Sequence, residues 1–260
     1  MKVSSGTWKG NAEVGNGIYE RLSRAAAQVA DGLTEMVWPT RCVCCDMPGT
    51  LLCESCRSRL RLIDGETSCK RCGAPYGSLE CTECWSGDGL REWEFDKAVC
   101  SMEFDSCSSR LVTCYKDQGE RGLAGIIAEF ICQSICMGGI LDEVRPDCIC
   151  PIPASPSAIA RRGFDHILPI AEDVAENCGV SMFPFLTRVE SADQRELGRE
   201  ERSENMRDVF GIQNLGDGVP RRVLLIDDVF TTGATLDSAS ALLREAGVES
   251  VGVATLCRVW

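Results

Sequence analysis

Several features that would immediately assign a protein to a class are scarce in this sequence. It has one histidine, and aromatic residues make up only 6% of its 260 positions. Positive charge is also scarce, because 27 lysines and arginines face 39 aspartates and glutamates, for a formal net charge of −12. This balance argues against a protein whose main affinity is for a nucleic-acid backbone, although it leaves room for a local basic groove.

Long, uninterrupted apolar runs are scarce as well. No apolar stretch typical of a secretory signal follows Met1 and Lys2, and we therefore expect a cytoplasmic protein. The most apolar segment, residues 122–141, carries Glu129 near its centre, where burial in lipid would cost about 2.5–3.5 kcal/mol. A buried amphipathic helix is the better interpretation, so we predict no membrane span.

Cysteine is the residue in excess, with 18 copies. Eight of them form four C-x-x-C pairs, at Cys42, Cys45, Cys53, Cys56, Cys69, Cys72, Cys81 and Cys84. Two cysteines so spaced can bind one ion from a tight turn, and eight thiolates suffice for two tetrahedral zinc sites of four cysteines each. We expect the first four to share one ion and the last four another. A cross-brace, one vacant site, redox pairs and an iron–sulfur cluster stay open, and the other cysteines, such as Cys100 and Cys136, are expected in the core.

Residues 223–246 follow the order strand, acidic pair, hydroxyl-rich turn and helix. Four apolar residues lead to Asp227 and Asp228, a turn reads Thr-Thr-Gly-Ala-Thr from Thr231 to Thr235, and apolar residues then recur at helical spacing. A helix N-terminus suits a phosphate, and paired carboxylates suit a diol or Mg²⁺. Phosphoribosyl pyrophosphate (PRPP) with Mg²⁺ carries all three features. An ordinary strand–turn–helix with solvated aspartates is the alternative.

The rest of the chain reads as helices and strands around these motifs. We expect a helix over residues 18–37, a linker over 86–94, strands over 97–104, 147–152 and 248–256, and helices over 108–116, 120–138 and 165–178. The basic turn with Arg161 and Arg162, after a Pro-Ile-Pro strand end, is either an anion site or a solvated loop. Residues 188–207 suit either a lid or a connector. His166 is expected to cap or pack rather than to catalyse.

In this order, the motifs resemble the ComF family of phosphoribosyltransferase-like proteins, over about residues 30–258. The cysteine module, the Pro-Ile-Pro strand with Arg-Arg-Gly-Phe downstream, the charged loop and the PRPP motif of residues 223–235 carry the resemblance. Phe230 and the Asp165-His166 pair depart from the family pattern. The resemblance implies an α/β protein: a type I phosphoribosyltransferase fold, with a parallel sheet flanked by helices, and a small zinc-ribbon module with four-cysteine sites. It implies a tail and helix over 1–38, a double zinc ribbon over 39–90 and a phosphoribosyltransferase-like domain over 91–260.

The resemblance also assigns roles to residues of this chain. Asp227 and Asp228 are the expected catalytic pair. Contacts with PRPP are expected from Asp227, Asp228, Val229, Thr231, Thr232, Gly233, Ala234, Thr235, Arg161 and Arg162. The expected flexible-loop residues are Gln194, Arg199, Arg202, Asn205 and Arg207. Lys116 falls where the family commonly has a lysine.

The implied reaction is transfer of a phosphoribosyl group from Mg-bound PRPP to an unknown acceptor, with a nucleobase as one candidate. Zinc at one or two of the four-cysteine sites is the second implied cofactor. The family is linked to DNA uptake in natural competence. The alternative is a non-catalytic protein that senses PRPP or handles single-stranded DNA. Competence machinery and a second copy of the chain stay open as partners.

Overall fold

The computed structural model describes residues 39–77, 80–86, 89–188, 209–213 and 218–260. The chain divides after Cys53 into two compact units. In the described part of the first unit, Arg41 pairs with Pro48 and the Val43 N–H donates to the Leu51 carbonyl over 3.0 Å. The predicted tail and helix before residue 38 lie outside the described residues. The boundaries expected after residues 38 and 90 stay predictions.

The helices and strands of the described residues lie in the second unit. In chain order they are α1 (Glu54–Arg57), β1 (Trp85–Ser86), β2 (Gly89–Leu90), β3 (Lys97–Glu103), α2 (Ser106–Lys116), α3 (Leu123–Met137), α4 (Ile140–Val144), β4 (Cys148–Pro151), α5 (Pro156–Arg162), α6 (Ile167–Cys178), β5 (Leu186–Arg188), β6 (Phe210–Ile212), β7 (Arg222–Phe230), α7 (Ala234–Glu245) and β8 (Ser250–Arg258).

A four-stranded parallel sheet in the order β3-β8-β7-β4 forms the centre of this unit. Strands of a parallel sheet are covered on both faces, so they read as continuous apolar runs rather than alternating ones. The run from Val223 to Ile226 in β7 meets this requirement, with every residue fully buried. Two short antiparallel pairs, β1 with β2 and β5 with β6, lie outside the sheet.

Side chains on the two faces of the sheet meet different layers, because successive residues of a strand point in opposite directions. Leu225 and Val253 share a buried cluster with Leu243 of α7. On the other face, a Cβ placed at Gly252 would lie 3.1 Å from Ile140 of α4. Helices α3 and α6 pack against each other, α3 on β3 and β8 and α6 on β4. The expected parallel sheet flanked by helices is therefore confirmed.

Several boundaries differ from the sequence-based expectation. Strand β7 continues through the two aspartates to Phe230, because pairing with β8 extends that far. The apolar segment 122–141 forms α3 and the start of α4, and no helix in the described parts of the chain is long and apolar enough to cross a membrane. The linker expected over 86–94 is wrong in part, since Trp93 is only 9% exposed. Cys100 is buried as expected, but Cys136 is exposed on the outer side of α3.

Candidate active site and metal centres

The end of β7 and the start of α7 bring the acidic pair and the hydroxyl-rich turn together. We call residues 231–235 the threonine loop. Its Gly233 precedes the first residue of α7 and has a φ of +78°, in the left-handed region that glycine adopts without strain. Phe230, directly before the loop, is fully buried and anchors the strand end in the core. The loop is thus held between a buried strand and a twelve-residue helix.

A cavity of about 430 Å³ lies beside this strand end. It is bounded by the ends of β4 and β7, by the threonine loop, and by residues of α2, α5 and β5. Its charged and polar lining residues are Lys116, Ser155, Ser157, Arg161, Arg162, His166, Arg188, Asp227, Asp228, Thr231 and Thr235. The acids, two threonines of the loop and the two arginines of α5 therefore face one space.

Asp228 is the centre of a charged network at the cavity wall. Its Oδ2 lies 2.5 Å from Nζ of Lys116 and 3.1 Å from Nε2 of His166, and the residue is 7% exposed. Burial alone would raise the pKa of Asp228, but the hydrogen bond from His166 and the charge of Lys116 outweigh burial and hold the pKa below its ordinary value. Asp228 is therefore ionised at neutral pH.

Asp227 lies in the opposite electrostatic situation. Burial, followed by the neighbouring charge of Asp228, raises its pKa from 3.8 to about 8. Its Oδ1 accepts a hydrogen bond of 2.8 Å from the Asp228 N–H. The pKa values of the two carboxyl groups are therefore driven apart, so Asp228 ionises at lower pH than Asp227. Two adjacent carboxyl groups with separated pKa values can play different roles toward a ligand.

His166 orients the network rather than capping a helix. Its side chain is almost fully buried and makes no capping hydrogen bond to α6, so of its two expected roles only packing holds. Nδ1 lies 3.5 Å from Nη1 of Arg162, and a guanidinium can only donate. Nδ1 is thus the acceptor, and Nε2 carries the proton that is donated to Asp228. Tyr115 fixes the same residue through a 2.6 Å hydrogen bond to its carbonyl.

The cavity is locally cationic although the chain is strongly acidic. Lys116, Arg161, Arg162 and Arg188 line it, against the carboxyl groups of Asp227 and Asp228. Even with both carboxyl groups ionised, four positive side chains face two negative charges. Such a cavity favours an anionic ligand.

The structure places the sequence-predicted site residues in three ways. Asp227, Asp228, Val229, Thr231, Thr235, Arg161 and Arg162 line the cavity. Thr232, Gly233 and Ala234 belong to the threonine loop but do not line the cavity. Gln194, Arg199, Arg202, Asn205 and Arg207 lie outside the described residues. The ligand roles assigned to all of them stay predictions.

Three residues that line the cavity were given no ligand role by the sequence analysis. His166 and Lys116 both contact Asp228, and Arg188 adds a cation from the end of β5. For Lys116, the only indication in the sequence is that ComF proteins commonly have a lysine at this position. The contacts of His166 and Lys116 with Asp228 join residues 62 and 112 positions apart, so no local pattern encodes them.

The eight paired cysteines form two sets in the expected grouping. The first set is Cys42, Cys45, Cys53 and Cys56, the second set is Cys69, Cys72, Cys81 and Cys84, and in each the sulfurs lie within 4.8 Å of one another. Sulfur–sulfur distances are 3.6 Å for Cys45–Cys53 in the first set, and 3.8 Å for Cys69–Cys84 and 3.4 Å for Cys72–Cys81 in the second. A tetrahedral zinc site with Zn–S bonds of about 2.3 Å needs sulfurs about 3.8 Å apart. Both sets therefore fit a zinc ion.

Comparison with known proteins agrees with this architecture. The model of the phosphoribosyl transferase domain family matches residues 158–259. Competence protein ComFC of Streptococcus pneumoniae is 29% identical over 211 residues, which cover 80% of this chain and 87% of that protein. Competence protein F of Haemophilus influenzae is 26% identical, covering 80% and 90% of the two chains. DNA utilization protein YhgH of Salmonella typhi is 27% identical, covering 85% and 97%.

Proposed function

We propose that this chain, which belongs to the ComF family, binds Mg-PRPP in the cavity beside Asp227 and Asp228 and transfers its phosphoribosyl group to an acceptor. One observation carries the proposal: the acidic pair, Thr231 and Thr235 of the threonine loop, and Arg161 and Arg162 line a single cavity of about 430 Å³. A diol, a phosphate and a pyrophosphate joined in one ligand need these three kinds of group side by side.

The groups divide among the parts of PRPP by their chemistry. The 5′-phosphate binds at the threonine loop, where the hydroxyls of Thr231 and Thr235 and the N-terminus of α7 donate hydrogen bonds to it. The ribose hydroxyls go to the carboxyl groups of Asp227 and Asp228. The pyrophosphate goes to the arginines of α5, because a guanidinium binds phosphate oxygens in a fixed geometry.

The residues of the cavity then serve the reaction mainly by position and charge. Substitution at the anomeric carbon breaks the bond to pyrophosphate and forms a bond to the acceptor, and it builds positive charge on the ribose. Asp228, ionised and held by Lys116 and His166, stabilises that charge. Asp227, whose pKa is raised to about 8, acts as a base once its carboxyl group has lost its proton to solvent, and the carboxylate then accepts the proton that the acceptor loses. Arg161 and Arg162 neutralise the leaving pyrophosphate.

Two metals belong to this proposal. Mg²⁺ bound with PRPP would supply positive charge that helps the pyrophosphate to leave, and carboxylate oxygens such as those of Asp227 and Asp228 would be suitable neighbours for it. Zinc would be held by the two cysteine sets, whose sulfur spacing fits it. Because paired thiols persist in reducing surroundings, we place the protein in the cytoplasm.

The acceptor is the open half of the reaction. Among the described lining residues there is no phenylalanine, tyrosine or tryptophan on which a nucleobase would stack. This observation favours a second candidate, a protein that binds PRPP without transferring its ribose. The names of the relatives, competence proteins and DNA utilization proteins, suggest that either activity serves DNA uptake or use.

Calorimetric titration of the zinc-loaded protein with Mg-PRPP tests the binding step. We expect saturable binding that Asp228→Asn weakens at least tenfold while far-UV circular dichroism stays unchanged. Asp142→Asn, the same change at an exposed carboxylate of α4, is the matched control and should bind as the wild type does. Absence of binding at millimolar PRPP, or equal binding by Asp228→Asn, would contradict the site.

Release of pyrophosphate separates the two candidates. An enzyme releases pyrophosphate from bound PRPP when a suitable acceptor is present, and Asp227→Asn abolishes the release. A sensor binds PRPP with no release against any acceptor in a panel of nucleobases, nucleosides and amines. Direct handling of DNA would instead give binding of single strands that weakens steeply as salt is raised.

A further inference from the structure

The second cysteine set is joined to the threonine loop by side chains that do not line the cavity. Both belong to the same compact unit, and the second set shares a buried cluster with Trp93 and Phe230. Some residues that contact the cysteines of the second set also contact atoms of the loop. Three residues make these connections: Arg258, Trp93 and Arg91.

Arg258, at the end of β8, bridges the set and the loop directly. Its side chain is fully buried. Nη1 donates to the Thr231 carbonyl over 2.8 Å, while Nη2 lies 4.0 Å from Sγ of Cys72 and pairs with Glu83. One guanidinium therefore donates to the first carbonyl of the loop with one nitrogen, while its other nitrogen lies beside a sulfur of the second set.

Trp93 makes the second connection. Its Nε1 donates to Sγ of Cys84 over 3.3 Å, and its ring packs edge-on against Phe230 with the ring centres 5.7 Å apart. The far edge of the ring lies so close to Gly233 that a Cβ there would come within 2.6 Å of it. The ring thus fixes the position of the glycine at which the chain turns into α7.

Arg91 makes the third connection, parallel to the second. Its N–H donates to the Cys84 carbonyl over 2.7 Å, and its guanidinium lies 3.5 Å from the centre of the Trp93 ring. Nη1 donates to the Thr232 carbonyl over 3.3 Å. Successive carbonyls of the loop, at Thr231 and Thr232, are therefore held by arginines in contact with the second set.

Metal in the second set would strengthen these contacts through charge. A fully buried guanidinium needs a negative partner, and its only carboxylate among the described residues is Glu83, whose side chain is 44% exposed. Metal binding requires thiolates, and four thiolates around a divalent ion keep a net negative charge. The loaded set therefore supplies Arg258 with a buried counter-charge, and metal-bound sulfurs keep fixed positions for the Trp93 N–H.

We propose that a divalent metal in the second cysteine set and a phosphate group on the threonine loop are thermodynamically coupled through Arg258, Trp93 and Arg91. The metal orders the loop for the phosphate, and by reciprocity the phosphate-bearing ligand slows loss of the metal. The identity of that ligand as PRPP rests on the proposed function, whereas the ordering of the loop by the metal does not. Arg258 and Trp93 are positioning residues, because neither lines the cavity.

Hydrogen–deuterium exchange of the loop amides, without ligand, tests the ordering. Cys81→Ser removes one thiol of the second set, and Cys45→Ser makes the same change in the first set as the matched control. We expect faster exchange over residues 231–236 in Cys81→Ser and wild-type exchange in Cys45→Ser. Equal exchange in wild type and Cys81→Ser, with metal loss from the second set verified, would overturn the proposal.

Arg258→Lys keeps the result interpretable if Cys81→Ser fails to fold. This variant retains all eight paired cysteines, and a lysine ammonium cannot hold Thr231 and Cys72 with two separate nitrogens. With its metal content verified as that of the wild type, we expect faster loop exchange without metal loss. Exchange at the wild-type rate in Arg258→Lys would count against a connection through Arg258 between the second set and the loop.

Transfer of zinc to a chromogenic chelator tests the reciprocal direction. In Cys45→Ser the first set no longer holds zinc, so the zinc that is released comes from the intact second set. We expect saturating Mg-PRPP to slow this release about fivefold or more. In the double variant with Arg258→Lys, PRPP should leave the rate nearly unchanged. Unchanged release from Cys45→Ser, when calorimetry shows that PRPP is bound, would refute the coupling. If calorimetry shows no binding, the proposed function fails, and the exchange experiment still decides whether the metal orders the loop.

Discussion

Replacement of Gly233 by alanine tests how tightly the threonine loop is packed. The residue has a φ of +78°, and an added Cβ would lie 2.6 Å from Cε2 of Phe230 and 2.6 Å from Cζ3 of Trp93. Phe230 is fully buried, and Trp93 is stacked on Phe95 with the ring centres 4.9 Å apart. Neither ring can turn away without opening the core, so the loop itself must move.

The cost has two separable parts. A non-glycine residue in the left-handed region costs about 1–2 kcal/mol, and overpacking of a core adds about 1–3 kcal/mol. We therefore expect Gly233→Ala to lower the free energy of unfolding by about 2–5 kcal/mol in all. Gly247→Ala is the matched control, because Gly247 also has a positive φ, +98°, but a Cβ there would meet no atom within 4 Å.

Urea unfolding of the zinc-loaded variants, followed by far-UV circular dichroism, measures the difference. Gly233→Ala should be less stable than Gly247→Ala by about 1–3 kcal/mol, the contribution of the clash alone. Calorimetry should also show weaker binding of Mg-PRPP to Gly233→Ala only, since the displaced loop no longer presents its hydroxyls. Equal stability and equal PRPP affinity of the two variants would refute the packing argument.

Three further predictions concern charge and metal. Lys116→Met should weaken binding of Mg-PRPP in calorimetry about tenfold, because it removes a cation from the cavity, whereas Lys97→Met, outside the cavity lining, should not. Between pH 4 and 8 the folded protein holds a proton on Asp227 that the unfolded chain releases, so the contribution of Asp227 to the free energy of unfolding falls as the pH rises. Asp227→Asn should therefore flatten the dependence of the free energy of unfolding on pH over this range, as measured by urea unfolding. Elemental analysis should find two zinc ions per wild-type chain and one in Cys45→Ser, and equal values would contradict two separate centres.

The parts of this molecule that the sequence predicts well are those encoded by local pattern. The C-x-x-C spacing brings each cysteine pair into one turn, and the two sets form in the expected sequential order. The apolar run before Asp227 specifies a strand buried on both faces, and the Thr-Thr-Gly turn specifies the start of a helix. Each of these signals lies within about fifteen residues, so it can be recognised without knowledge of the fold.

The parts that escaped prediction depend on contacts between distant segments. Trp93 reads as part of a polar, glycine-rich linker, yet it is buried because the second cysteine set and Phe230 close around it. Arg258 lies beyond the strand predicted over residues 248–256, but it forms the end of β8 and is fully buried. Cys136 carries no sign in the sequence that its position on α3 faces outward. Burial of these side chains is a property of the assembled sheet and helices.

A crystal structure of the zinc-loaded protein with Mg-PRPP would show whether the ligand binds in the cavity beside Asp227 and Asp228. We expect the 5′-phosphate against Thr231 and Thr235, the ribose hydroxyls on Asp227 and Asp228, and the pyrophosphate beside the arginines of α5. PRPP bound at another place, or a cavity that stays empty at millimolar PRPP, would contradict this expectation.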